Sequence, residues 1–114
     1  MSQWKYFLED EVLGLKDELI LKLDQMRSVA GVPIVITSGL RALDANNAAQ
    51  GVHDSAHLKG LAADIHCPDS PTRFKLIGAA FQVGFRRIEV ANAHIHVDID
   101  PDLPQDVLWL GISH

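Results

Sequence analysis

The residues best suited to chemistry in this chain are imidazoles and carboxylates at short, regular spacings. His57 and Asp64 are seven positions apart, and His94, His96 and Asp98 alternate along a segment that begins thirty residues further on. Three nitrogen or oxygen ligands with a fourth position left open are typical of a catalytic zinc site. The chain contains a single cysteine, which excludes a cysteine-rich structural zinc site.

Strand periodicity indicates which of these side chains share a face. In residues 94–99, alternation places the two histidines and the aspartate on one face and three apolar β-branched side chains on the other. In residues 62–66 it places Asp64 and His66 together in the same way. The apolar faces are expected to be buried, so the polar faces should line a cleft or contact solvent. Two such strands side by side would bring an aspartate and at least one histidine together.

Two helices are predicted to support these strands. Apolar residues recur at spacings of three and four over residues 8–26, which is typical of an amphipathic helix. Gly31 is expected to end this helix. A second helix is predicted to begin with Ser70 as its N-cap and Pro71 in its first turn, and to end at Gly84.

Four short segments have the composition of β-strands. They are residues 33–38, 61–67, 87–91 and 94–99. Asn92 and Ala93 are expected to join the last two strands in a tight hairpin, and Gly60 to allow a sharp turn before the second strand. Residues 40–54 lack a sustained period and are expected to form an ordered loop, while an amphipathic tail around Trp109 ends the chain.

These elements predict an α+β fold in which helices pack on one face of a small, largely antiparallel sheet, with the metal cleft on the other face. The 114 residues correspond to one domain over residues 1–114, expected to be a monomer. A formal net charge of −5 argues against a nucleic-acid partner, which requires a basic surface. No apolar run approaches the roughly 20 residues of a membrane span. The N-terminus lacks a signal-peptide pattern, so cytoplasmic synthesis is expected.

Three motifs, taken in order, resemble the M15 peptidases. They are TSGLR at residues 37–41, SAHLKGLAAD at residues 55–64 and HVD at residues 96–98. Leu40 stands where the family has a tyrosine. The family includes zinc D-Ala-D-Ala carboxypeptidases, phage peptidoglycan endopeptidases and the related amino-terminal domain of hedgehog proteins. The resemblance extends over about residues 15–98 and implies a fold of the hedgehog and DD-peptidase type.

The resemblance also implies roles for individual residues. His57, Asp64 and His96 would be the zinc ligands. Arg41 would bind the carbonyl or carboxylate of the substrate, where a forked guanidinium suits the geometry. Ser55 is assigned to substrate binding as well, in the loop that carries the first ligand, where its hydroxyl would hydrogen-bond that loop.

The general base is the position at which the chain departs from the family pattern. Many members carry a glutamate or aspartate three residues before the last histidine ligand, where this chain has Ala93. Hedgehog-like members carry an earlier glutamate and a histidine two residues before the ligand. Glu89 and His94 resemble these two, although Glu89 is one residue further from His96 than in the hedgehog pattern. Glu89 is therefore our first candidate for the base, and His94 the second.

The implied function is zinc-dependent hydrolysis of a peptide bond in the stem peptide of peptidoglycan. Zinc would activate water and polarise the scissile carbonyl. Without a signal peptide or wall-binding module, a compact lysin of phage or bacterial origin, acting on the cell wall after release, is favoured over other contexts. A hedgehog-like zinc-containing binding module without catalysis remains an alternative, as does a different metal hydrolase such as an amidase. The carboxylates of Asp98, Asp100 and Asp102 could instead form a solvated edge or a calcium site.

Overall fold

The computed structural model describes residues 3–38 and 56–111. The described residues form a 3-10 helix at Glu9–Val12, helix α1 at Asp17–Ala30, strand β1 at Ile36–Ser38, strand β2 at Ala62–His66, helix α2 at Ser70–Gln82, strand β3 at Arg87–Val90, strand β4 at His94–Asp98 and strand β5 at Val107–Leu110. Among these helices, none combines the length and the apolar character that crossing a membrane requires.

The five strands form one sheet in the order β1-β2-β4-β3-β5. β2 pairs antiparallel with both β1 and β4, β3 pairs antiparallel with β4, and β5 alone is parallel to its neighbour, β3. The predicted α+β fold with a largely antiparallel sheet is therefore confirmed. The predicted hairpin is also present, with strands β3 and β4 one residue shorter at one end than the segments proposed for them.

The two helices cover the apolar face of the sheet. Side chains from α1, α2 and strands β2 to β4 belong to a single buried cluster. Its members include Leu19, Leu23, Met26, Leu76, Ala80, Ile65, Ile88, Ile95 and Val97. Burial of this apolar surface is the main force that holds the helices to the sheet, and it leaves the opposite face of the sheet for the polar side chains.

The prediction of one continuous helix over residues 8–26 was wrong. The segment is a short 3-10 helix followed by a break, and α1 begins only at Asp17. The break includes Gly14, whose φ of +86° is outside the helical range and suits glycine. The periodic apolar residues on both sides, such as Val12 and Leu19, are nonetheless buried. Gly31 ends α1 as predicted, with a φ of +71°.

The predicted second helix is present, but its cap is one residue earlier than expected. Asp69 is the N-cap, and its Oδ1 accepts a hydrogen bond of 2.8 Å from the backbone N–H of Thr72. Ser70 is instead the first helical residue. An aspartate is as good a cap as a serine and adds a negative charge at the positive end of the helix dipole. The helix ends at Gln82, two residues before Gly84.

The tail contains strand β5, which the sequence analysis did not predict. Residues 107–110 alternate between half-buried and exposed, as an edge strand does. Trp109 is one of the half-buried residues, and it lies beside Glu89 in the parallel pairing of β5 with β3. The tail therefore completes the sheet next to the polar residues of β3 and β4.

Candidate metal centre

The sheet register brings three of the predicted site residues into one row. Asp64 in β2 lies directly opposite His96 in β4, and His96 lies directly opposite Glu89 in β3. Directly opposed residues share a face of the sheet, with Cβ atoms about 4.5–5.5 Å apart. Trp109 extends the row onto β5. The row lies on the face of the sheet that the helices leave free.

His57 approaches this row from a helical turn at residues 56–58. The turn closes with a hydrogen bond of 3.0 Å from the N–H of Gly60 to the carbonyl of His57. Gly60 has a φ of +76°, and a Cβ built on it would lie 2.5 Å from the backbone oxygen of Gly14. The N–H of Lys16 donates to the carbonyl of Gly60 at 2.9 Å. Only glycine fits at residue 60, where the segment that carries His57 crosses the segment at Gly14. This crossing fixes the position of His57.

His57, Asp64 and His96 converge on one point. Each offers one ligand atom, and these atoms all lie within 4.8 Å of one another. Asp64 Oδ1 is 3.3 Å from Nε2 of His57 and 3.0 Å from Nδ1 of His96. All three side chains are buried. Two imidazoles and one carboxylate are a donor set that suits zinc, so the residues present fit a metal ion of this kind.

The electrostatics of the cluster match this donor set. Burial raises the pKa of Asp64, but the hydrogen bonds from His57 and His96 outweigh that effect and hold the pKa well below its usual range. Burial lowers the pKa of His96, but its hydrogen bonds to Asp64 and Asp98 raise it above the usual value overall. The cluster thus holds a carboxylate that is ionised at all ordinary pH values and that attracts positive charge. A metal cation would take the place of the proton on Nδ1 of His96, the nitrogen that faces Asp64.

Behind His96 lies a second carboxylate, that of Asp98, which strand alternation predicts on the same face but which was given no role at the zinc site. Nε2 of His96 is 2.7 Å from Oδ2 of Asp98. Nε of Arg87 donates to Oδ1 of Asp98 at 2.7 Å, and all three residues are buried. Strand alternation could have identified Asp98 as a neighbour of His96, whereas no pattern in the sequence indicated that Arg87 pairs with Asp98.

The polar face of β4 is buried except at His94, which corrects one interpretation of the aspartates at and beyond the end of this strand. Asp98 and Asp100 are 1% and 0% exposed, so they do not form a solvated edge. Nζ of Lys59 lies 3.0 Å from Asp100 and 3.1 Å from Asp102. Its ammonium group supplies the positive charge that these two carboxylates would otherwise offer to a calcium ion, and its hydrogen bonds to them raise the pKa of Lys59.

Both candidates for the general base lie on the metal face. Oε1 of Glu89 is 3.9 Å from Nε2 of His94, and the side chain of Glu89 is 12% exposed against 38% for His94. Gly111 passes close by, since a Cβ built there would lie 2.5 Å from Oε2 of Glu89. His66 lies opposite His94 at the end of the strands and is exposed.

Other residues named from the sequence cannot be placed in this arrangement. Arg41 and Ser55 lie outside the described residues. Their assigned roles therefore stay predictions from sequence.

An α+β domain with a buried His–Asp–His cluster beside a carboxylate has the features of a metal-dependent hydrolase. The family model for Peptidase M15 matches residues 6–98. The chain therefore belongs to the M15 peptidase family, whose members are typically zinc-dependent. The matched range contains the whole His–Asp–His cluster and both base candidates, while β5 lies beyond it. No curated protein sequence matches the chain significantly.

Proposed function

We propose that this protein is a zinc-dependent peptidase that hydrolyses a peptide bond in the stem peptides of peptidoglycan. The observation that carries the proposal is the convergence of His57, Asp64 and His96 on one buried point in a member of the M15 family. A zinc ion held there would act as a Lewis acid toward the scissile carbonyl and would promote ionisation of water. The remaining chemistry belongs to the side chains around the site.

Glu89 is proposed to be the general base. It lies directly opposite His96 across the β3–β4 pairing, so it shares a face of the sheet with the ligands Asp64 and His96. A carboxylate in this place would accept the proton of the attacking water and return it to the departing amine.

His94 is proposed to assist at the open side of the site. Its imidazole is more exposed than the carboxylate of Glu89, so it can reach a bound substrate. It would then donate a hydrogen bond to the carbonyl oxygen on which negative charge develops. Arg41 and Ser55 are proposed, from the family resemblance, to bind the substrate. The domain is proposed to act as a monomer on the cell wall after release.

Digestion of purified peptidoglycan tests this proposal. The protein is first stripped with a chelator and then reloaded with zinc, and the soluble products are identified by mass spectrometry. The proposal expects new peptide termini with the zinc-loaded protein and none after stripping. The product masses also separate a carboxypeptidase, which releases one D-alanine, from an endopeptidase, which cuts within the stem or cross-bridge. Release of intact stem peptides from the sugar chain would instead identify an amidase.

One observation favours a second candidate, the zinc-containing binding module without catalysis. Ala93 stands where many M15 members carry an acid, and its carbonyl accepts a hydrogen bond of 2.9 Å from the N–H of Cys67. Zinc-loaded protein that binds peptidoglycan and leaves every peptide intact would support this second candidate.

A further inference from the structure

Behind the candidate metal ligand His96 lies a buried chain of polar contacts that leads away from the point on which the three ligands converge. Nδ1 of His96 faces Asp64, and Nε2 on the other side of the ring lies 2.7 Å from Oδ2 of Asp98. Both His96 and Asp98 have side chains that are 0% exposed. The contact is therefore shielded from water on both sides.

The direction of this contact selects one form of the imidazole. A carboxylate can only accept hydrogen bonds, so Nε2 of His96 must carry a proton to donate to Asp98. Nδ1 faces the carboxylate of Asp64 in the same way, so a charged ring donates to both aspartates. When the ring gives up one proton to a metal ion at the cluster, the lone pair lies on Nδ1, because Nδ1 faces Asp64 and Nε2 stays with Asp98. This is the form that a metal ion at the cluster requires.

Asp98 is itself held rigidly. Its Oδ1 accepts a hydrogen bond of 2.7 Å from Nε of Arg87 and another of 3.2 Å from the backbone N–H of Asp100. Nη1 of Arg87 donates to the carbonyl of Pro104 at 2.6 Å, and the guanidinium lies 4.9 Å from the ring centre of Trp109. One nitrogen of the Arg87 guanidinium therefore binds Asp98 and another binds the backbone. Because the guanidinium is fixed at both points, it keeps the carboxylate of Asp98 turned toward His96.

We propose that Asp98 and Arg87 are positioning residues that hold His96 with its proton on Nε2 and thereby set the affinity of the site for metal. The proposal rests on the proposed function in one respect, namely that His96 is a metal ligand. Carboxylates that support a histidine ligand in this way typically contribute a factor of about 10–100 to metal affinity. Neither residue contacts the point on which the three ligands converge.

The chain contains a matched control for Arg87. The preceding residue, Arg86, makes a similar pair with Asp106, with two N–O distances of 2.7 Å. That pair is exposed, since the two side chains are 55% and 70% exposed. It does not contact any residue of the metal cluster. The two arginines thus differ in their connection to His96 and not in their chemistry.

The test measures zinc affinity by competition with a chelator for the wild type and three variants at one pH. In Asp98→Asn, the amide oxygen accepts from Arg87 and the NH₂ group faces Nε2 of His96. An NH₂ group donates, so it favours the form of His96 that has its lone pair on Nε2 and its proton on Nδ1. We expect a loss of about 10–100-fold. Arg87→Lys keeps the charge but cannot form both fork contacts, so we expect a smaller loss of about 3–10-fold. Arg86→Lys should match the wild type.

A spectroscopic measurement tests the same idea without a variant. Nitrogen-15 NMR of the zinc-loaded wild type should show His96 bound to metal through Nδ1 with the proton on Nε2. The opposite arrangement would overturn the proposal. So would a folded Asp98→Asn with wild-type affinity. If Asp98→Asn does not fold, Arg87→Lys decides, because an affinity equal to that of Arg86→Lys overturns the proposal and a weaker one supports it.

These outcomes are distinct from those that test the peptidase. Wild-type protein that binds zinc, shows the expected form of His96 and cleaves no peptide would remove the proposed catalysis and leave the positioning role in place. Wild-type protein that binds no zinc would overturn both.

Discussion

Replacing Gly60 with alanine is expected to destabilise the fold and weaken metal binding at the same time. Gly60 has a φ of +76°, and an added Cβ would lie 2.5 Å from the backbone oxygen of Gly14. A side chain in the left-handed region costs about 1–2 kcal/mol. Forcing an atom against packed backbone costs about 1–3 kcal/mol more. The free energy of unfolding should therefore fall by about 2–5 kcal/mol, out of the roughly 5–15 kcal/mol typical of a domain.

Two other glycines separate these two costs. Gly31 has a φ of +71° with nothing within 4 Å of an added Cβ, so Gly31→Ala should lose only the conformational part, about 1–2 kcal/mol. Gly78 lies in α2, without a positive φ and with open space around an added Cβ. Gly78→Ala should therefore stabilise the protein by about 0.5–1 kcal/mol.

The effect on metal binding follows from the hydrogen bonds of the same residue. The N–H of Gly60 donates to the carbonyl of His57, and its own carbonyl accepts from Lys16. A displaced backbone at Gly60 therefore displaces His57. Gly60→Ala should weaken zinc binding by about 10-fold or more, whereas Gly31→Ala and Gly78→Ala should leave it unchanged.

Urea denaturation in the presence of a chelator gives the free energy of unfolding for each variant, and chelator competition gives the zinc affinity. If Gly60→Ala were no less stable than Gly31→Ala, the backbone at Gly14 would have to move aside at no cost, which refutes the packing argument. If the zinc affinity of Gly60→Ala were unchanged, His57 would not depend on this crossing.

Four further predictions concern the site itself. His57→Ala should lose bound zinc at neutral pH while His94→Ala retains it, and metal analysis that finds one zinc per His57→Ala molecule would contradict the ligand set. Glu89→Gln should keep zinc and slow peptide hydrolysis by at least about 10²-fold, whereas full activity there together with an inactive His94→Ala would transfer the role to His94. Acidification should release zinc, because protons compete with the metal ion for the histidine ligands, and a titration of bound zinc against pH measures this. In chelator-treated protein, the charged form of His96 should stabilise the fold below about pH 6.5, and this contribution should be lost as the pH rises through the raised pKa of His96. The ionised form of Asp64 should also stabilise the fold, and this contribution should be lost only as the pH falls below about 3.8 through the lowered pKa of Asp64. Denaturation at several pH values checks both signs.

Side-chain alternation was sufficient to predict that Asp64 and a histidine of the last hairpin would share a face. In a β-strand, consecutive side chains point to opposite sides whatever the strand's partners are. The apolar residues of both strands therefore pack toward the helices and the polar residues point the other way. The same local reasoning predicted helix α2 and the β3–β4 hairpin, because a helix cap and a tight turn each depend on a few adjacent residues.

Contacts between distant segments decided what the local pattern could not. Residues 8–26 have the spacing of one helix, but the segment breaks at Gly14, where its backbone meets Gly60. Residues 107–110 have the composition of a strand, but nothing nearby in the sequence indicates that they pair in parallel with β3. In both cases the deciding partner lies more than fifteen residues away along the chain.

The two adjacent arginines show the difference most directly. Arg86 and Arg87 have the same chemistry in the sequence, yet Arg86 forms an exposed pair with Asp106 and Arg87 a buried pair with Asp98 behind His96. Strand alternation implies only that they point to opposite sides. Which of them is buried depends on the strands and tail that cover it, because a charge can leave water only where other parts of the chain supply its compensating partners. The sequence by itself determined the kinds of ligand and the faces on which they lie, while the tertiary structure decided how those ligands are held.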